Sequence, residues 1–116
     1  AQDRNQYFQV DLRGVVNITR ILTQGGMIDG EEAYIEAFRI QFSDDGVWWT
    51  YSMDTRQGGA KVFEGNRDAN SLKLTAFDPG VTSSHVRLRP VRWYRQIALR
   101  VQVYGCRAST STDLGR

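Results

Sequence analysis

Short runs of β-branched and aromatic residues recur along this chain, separated by Gly, Asp and Asn, and no 3.6-residue period persists. That pattern argues against a helical core and for a sheet protein, since alternation with period two turns one face of each strand inward. Phe8, Val10 and Leu12 alternate with Gln9 and Asp11, and Val15 to Thr23 form a second run. Tyr34 to Ser43 form a longer one, rich in Ile35, Phe38, Ile40 and Phe42. Asp44-Asp45-Gly46 reads as a turn in which Gly supplies a positive φ. Trp48 to Met53, Lys61 to Phe63, Ser71 to Leu74, His85 to Arg89 and Gln96 to Tyr104 complete eight candidate strands. Many short strands joined by turns predict an all-β sandwich or barrel. Its expected core is Phe8, Val10, Ile18, Ile40, Phe42, Trp49, Leu88, Leu99 and Val101.

A chain of 116 residues, 41% hydrophobic and 24% charged, is one domain with a single core. No apolar run reaches the length of a bilayer-crossing helix, and Ala1 to Arg4 do not read as a signal peptide. A net charge of +2 is too mild to announce a nucleic-acid partner. Of fifteen cations only Lys61 and Lys73 are lysines; the rest are arginines, which suit carboxylate, phosphate and sulfate groups. The last apolar run closes on Gly105-Cys106, the single cysteine. In a secreted domain an odd cysteine means a free thiol, an intermolecular bond, or a partner outside the sequence. Asn17-Ile18-Thr19 is an N-glycosylation sequon, and alternation turns Asn17 away from Val16 and Ile18, where a glycan can be accepted. Arg107 to Arg116 hold Ser109, Thr110, Ser111 and Thr112 and almost nothing apolar, so a flexible linker or tail is expected there.

Five segments in order carry a family resemblance: Tyr7-Phe8-Gln9-Val10-Asp11-Leu12, Thr23-Gln24-Gly25, Ser43-Asp44-Asp45-Gly46-Val47-Trp48-Trp49, Val86-Arg87-Leu88-Arg89-Pro90, and the closing run from Gln96 to Cys106. So many ordered motifs are far more specific than one short pattern. Over residues 6 to 106 the chain resembles the discoidin family, also called the coagulation factor V/VIII C-type domain. The resemblance implies a distorted jelly-roll barrel of two antiparallel sheets, galactose-binding-domain-like, acting as an extracellular recognition or adhesion module within a larger protein. In that family the closing cysteine commonly pairs with one at the start of the module. Here Tyr7 already matches the first motif, so residues 1–106 are expected to form a module lacking its N-terminal segment. That segment would supply an edge strand and the first of three ligand-facing loops, and Cys106 would have its disulfide partner outside the chain.

Chemistry beyond recognition finds little support. His85 is the only histidine and Cys106 the only cysteine, so neither a metal cluster nor a nucleophile pair can be assembled from them. Asp44 and Asp45 sit at a turn, where Asp serves backbone hydrogen bonding. Glu31 and Glu32 lack a second catalytic group, and Gly25-Gly26 and Gly58-Gly59 lack the Lys and Ser/Thr of a phosphate loop. No enzyme activity, metal or cofactor is expected.

Binding residues belong on loops held by a rigid scaffold. The family's second spike maps to Gly26 through Ala33 and its third to Asn66 through Asn70, with the turn Arg92 to Gln96 beside them. The candidate ligand-binding set is Met27, Ile28, Asp29, Glu31, Arg67, Asp68, Arg92 and Arg95. Met27 and Ile28 either present apolar contacts or fold back to cap the barrel. Arg87, Arg100 and Asp11 match fixed positions of the family and are expected in a structural ion-pair or hydrogen-bond network, whereas Arg89, Arg92 and Arg95 are expected in solvent. Trp49 belongs to the core by the same match, and Trp48 beside it must face the other way.

The family divides among binders of anionic phospholipid, of receptors or collagen, and of sugars. Membrane-binding spikes present bulky apolar tips ringed by basic residues. This one carries Asp29, Glu31 and Glu32, with no Lys or Arg between Ile21 and Phe38. An anionic leaflet rewards each cation by about 1 kcal/mol and repels carboxylates, so membrane contact is disfavoured. A protein or matrix partner is the leading expectation. A glycan lectin using Asn66, Asp68, Asn70 and Tyr94 is the alternative, and a structural module packed on its neighbours is a third.

Overall fold

The computed structural model describes residues 5–107, and all of its regular structure is β. Strand β1 is Phe8–Gln24, β2 Gly26–Ile28, β3 Glu31–Ser43, β4 Thr50–Tyr51, β5 Phe63–Glu64, β6 Lys73–Tyr94 and β7 Arg100–Arg107. They form an antiparallel sheet in the order β2-β3-β6-β1-β7, with β4 and β5 also pairing with β3. The expected eight strands become seven, because bulged strands merge two pairs of them into β1 and β6 and the unexpected β2 is added. Phe8–Leu12 and Val15–Thr23 are one strand with register shifts against β6 between Asp11 and Val16 and between Ile18 and Arg20.

The bulges explain the core. In β1 the inward residues are Val16 and Ile18, then Ile21 and Thr23, so one extra residue near Arg20 resets the alternation. In β3 the same happens: Ala33, Ile35 and Ala37 point inward, then Phe38, Ile40 and Phe42 after shifts flanking Ala37. Strand β6 pairs with β1 from Lys73 to Leu88 and with β3 from His85 to Tyr94, so it joins the two halves of the fold. Ile18, Ile21, Ile35, Phe38, Ile40, Val86 and Leu88 sit at its centre, essentially without solvent contact. Of the expected core, Ile18, Ile40, Phe42 and Leu88 are buried, Phe8, Leu99 and Val101 pack against them half-buried, and Val10 is half-buried outside that cluster.

Trp49 is a correction. It lies just outside β4, half-buried, and its ring covers the Arg87 guanidinium at 3.8 Å rather than joining the apolar cluster. The same guanidinium lies over the Tyr7 ring at 4.2 Å, and Arg87 Nε donates to Gln9 Oε1. Arg87 and Asp11 are therefore not paired with each other: an Asp11 oxygen accepts the Arg13 N–H and stands 3.7 Å from His85 Nε2.

At the far edge, β7 pairs with β1 so that Cys106 lies opposite Asn17. The Cys106 thiol and the Asn17 side chain are both exposed, with Val16 and Ile18 turned inward as alternation requires. Arg107, placed by sequence in the tail, is the last residue of β7 and donates to the Leu12 carbonyl. The remaining tail, 108–116, lies outside the described residues.

Candidate binding rim

Gly26–Ile28 and the start of β3 make a hairpin, with Ile28 opposite Glu31 and Met27 opposite Glu32. Its two-residue turn, Asp29-Gly30, has φ of 53° and 78°. Positive φ at both positions is the mark of a type I′ turn, whose twist matches that of paired strands and for which Asp-Gly is a favoured sequence. The second spike is thus a projecting pair of strands, not a loop. Met27 is 58% exposed on it, and Ile28 is half-buried.

Three contacts fix the hairpin to its neighbours. Arg95 Nη1 donates to both Glu31 oxygens, at 3.0 and 3.2 Å. Its guanidinium also lies over the Tyr94 ring, which stacks on Tyr34 at 5.1 Å between centroids. Burial, and then the nearby Glu36 carboxylate, push the Tyr34 hydroxyl's pKa up. Glu32 accepts the Ala69 N–H at 2.9 Å, joining the hairpin to the 66–70 loop. Gly25 permits that approach, because a Cβ there would stand 2.5 Å from the Ala33 carbonyl and 3.2 Å from Ala69 Cα.

The 66–70 loop is organised by its own side chains. Asp68 accepts from the Asn70 and Ser71 N–H groups and the Ser71 hydroxyl. Those donors, led by the Ser71 N–H, hold its carboxyl below the usual range. Asn66 is only 3% exposed, and its amide donates to the Thr23 and Ser71 carbonyls. Its amide nitrogen is thus committed to the backbone, while its buried Oδ1 has no hydrogen-bond partner among the described residues.

The predicted site residues therefore separate into groups. Ile28, Asp29, Glu31 and Arg95 line one cavity of about 360 Å³. Arg67 and Asp68 line another of about 260 Å³, with Arg67 3.4 Å from Glu64. Arg92 is a strand residue of β6 rather than part of a turn, and pairs with Glu36 at 3.5 Å. Arg89, expected in solvent, donates to Gln41 at 2.6 Å and lies 5.0 Å from the Tyr7 ring centre. Sequence spacing missed Arg92 because β6 runs on through Tyr94, past the anticipated end at Arg89, and missed Arg89 because its partner Gln41 comes from the neighbouring strand β3.

One constellation invites a catalytic reading and does not support it. Ser84 Oγ is 2.8 Å from His85 Nδ1, and His85 Nε2 faces Asp11. Ser84 is buried, however, and its hydroxyl is directed to the Ser43 and Asp44 carbonyls. A nucleophile would need an accessible oxygen and a base accepting its proton.

The family model for the F5/8 type C domain matches residues 1–103. The chain belongs to that family, the discoidin domains. Bovine (Bos taurus) lactadherin is 38% identical over 102 residues, covering 88% of this chain and 24% of lactadherin. Human (Homo sapiens) EGF-like repeat and discoidin I-like domain-containing protein 3 is 36% identical over 104 residues, covering 90% and 22%. The chain thus spans about a quarter of the length of these curated relatives. The structure of recombinant discoidin II from Dictyostelium discoideum superposes with a TM-score of 0.79 at 21% identity, over 94% of this chain and 40% of that one. The fold is the galactose-binding-like jelly roll of discoidin domains.

Proposed function

We propose that this domain is an extracellular recognition module, part of a multidomain protein, that binds a protein or matrix partner through the rim just described. The observation that carries the reading is the cavity where Ile28 and Asp29 meet the Glu31–Arg95 pair, beside exposed Met27. An apolar element flanked by both signs of charge suits a protein surface, where complementary charges set register and association rate. Asp29, Glu31 and Glu32 oppose an anionic leaflet, which supports a protein over a membrane. The names of relatives joining discoidin-like domains to EGF-like repeats support the multidomain setting. Within it, Asn17 accepts a glycan, and Cys106 is bridged to a cysteine outside this sequence.

Surface plasmon resonance on immobilised collagen, fibronectin and laminin, run beside sedimentation with phosphatidylserine vesicles, tests this. Binding to a matrix protein, weakened by Arg95→Glu, is the expected result. Tight vesicle binding that Asp29→Lys leaves unchanged would assign the domain to membranes instead.

A further inference from the structure

A larger cavity lies at the other end of β3 from the rim. The rim hairpin turns into β3 at Glu31, and the strand ends at Ser43, roughly 40 Å further along at a strand's rise. Beyond Ser43 the chain bends, and a cavity of about 460 Å³ opens beside the bend, walled by Asp44, Asp45, Trp48, Tyr51 and Thr82 among others. Its volume falls in the ~300–1,000 Å³ range of small-molecule sites.

The wall combines an exposed indole with uncompensated charge. Trp48 is 79% exposed, although Trp is among the largest apolar groups a fold can bury. The bend that carries it is nevertheless firmly held. Asp45 Oδ1 accepts the Val47 N–H at 2.7 Å and the Trp48 N–H at 2.9 Å, while the Ser43 hydroxyl donates to the same oxygen at 3.1 Å. The indole is presented from an ordered segment rather than displaced from a core. Those donors, led by the Trp48 N–H, also hold the Asp45 carboxyl below its usual range, so it carries a full charge at neutral pH. Asp44 is fixed through its backbone carbonyl, which accepts the Ser84 hydroxyl at 2.6 Å. Both Asp side chains are exposed, and neither makes an ion pair among the described residues.

These walls select a ligand by charge. No lysine, arginine or histidine lines the cavity, so its two carboxylates repel an anion and attract a cation. The indole adds to that preference, because an aromatic face draws an ammonium group lying within about 6 Å of its centre. Thr50, Ser52 and Thr82 line the same space and bring hydroxyl acceptors. A primary ammonium, with three N–H donors, can use them; a quaternary one cannot. The apolar ring between polar walls suits a methylene chain joining such groups. We propose that this cavity binds an aliphatic polyamine, with one ammonium group on the Asp44 carboxylate and the methylene chain laid against Trp48. A net charge of +2 gives the domain no general attraction for such a cation, so binding depends on this local arrangement. The site is separate from the rim and stands whether or not the rim binds a protein.

The test is a titration of the domain with putrescine and spermidine up to ~10 mM, a range that captures weak sites, at low ionic strength. Calorimetry gives the affinities, and the Trp48 Nε1–H resonance and the amides of Asp44 to Trp48 locate the ligand. Magnesium ion at matched ionic strength controls for plain counter-charge. Spermidine should shift the Trp48 resonance, and magnesium should leave it in place. Affinity should fall about tenfold or more in both Trp48→Ala and Asp44→Asn, and should weaken as salt is raised. Ile28→Ala, on the rim, should bind as the parent does. If Trp48→Ala lowers the thermal unfolding midpoint, Trp48→Phe and Asp44→Asn carry the comparison, the first keeping part of the affinity and the second losing it. No shift with either amine, or an affinity that survives Asp44→Asn, overturns the proposal. So does an equal response to magnesium, which would reduce the site to an unselective cluster of charge.

Discussion

At the scale of single residues, the contrast between Ile40 and Trp49 is instructive, because both were legible as apolar positions and only one is core. Ile40 has no solvent contact, and its truncation leaves a cavity inside the central cluster. Ile40→Ala is expected to cost about 2–5 kcal/mol in urea denaturation. Trp49 instead makes an outer layer over Arg87, edge-on to His85 at 6.1 Å. Trp49→Ala should therefore cost about 1–2 kcal/mol, the scale of lost cation–π and partial burial, rather than a full cavity penalty. Alternation reveals which side of a strand a residue occupies, but not whether that side is covered by apolar groups or by a guanidinium. Gly25 makes the opposite case: nothing in the sequence marks it as crowded, yet a Cβ there meets the Ala33 carbonyl and the Tyr34 Cβ. Gly25→Ala should destabilise by about 1–3 kcal/mol and broaden the amide resonances of the hairpin and the 66–70 loop. Unchanged spectra would mean that the hairpin and the 66–70 loop are not held by that contact.

At the scale of elements, three turns share one device. Asp45, Asp54 and Asp68 each accept backbone N–H groups two and three residues ahead. Those bonds favour the ionised carboxylate, and all three pKa values are lowered from 3.8. The sign follows from linkage: a depressed folded pKa contributes stability above the unfolded value, and that contribution disappears as pH falls through the folded one. Acidification from pH 3.8 downward should thus loosen these turns, and Asp45→Asn should flatten part of the acid limb of the unfolding curve. The Asp44-Asp45-Gly46 turn was legible because Asp and Gly have few other reasons to stand together there. The β2–β3 hairpin was not, since Gly26–Ile28 is only three residues long and its partner is the beginning of a strand expected to start at Tyr34. Bulges hid the continuity of β1 and β6 for the same reason: a reset in alternation looks in sequence like a break.

At the scale of the whole molecule, ordered family motifs revealed the jelly roll, while the partner depends on side-chain placement at its ends. The rim at the start of β3 brings Ile28, Asp29 and Glu31 of one hairpin to Arg95, which lies 64 residues beyond Glu31 and just past the end of β6. Exposed charges at such a rim act mainly on association and weaken with salt, whereas an apolar anchor governs dissociation. Binding kinetics on the matrix protein selected by surface plasmon resonance, compared among parent, Arg95→Glu and Ile28→Ala, are the most direct check that this rim is the recognition surface. The expected result is slower, salt-dependent association in Arg95→Glu and faster dissociation in Ile28→Ala, with both variants folded as the parent. Parental rates in both variants would show that the partner is bound elsewhere on the domain.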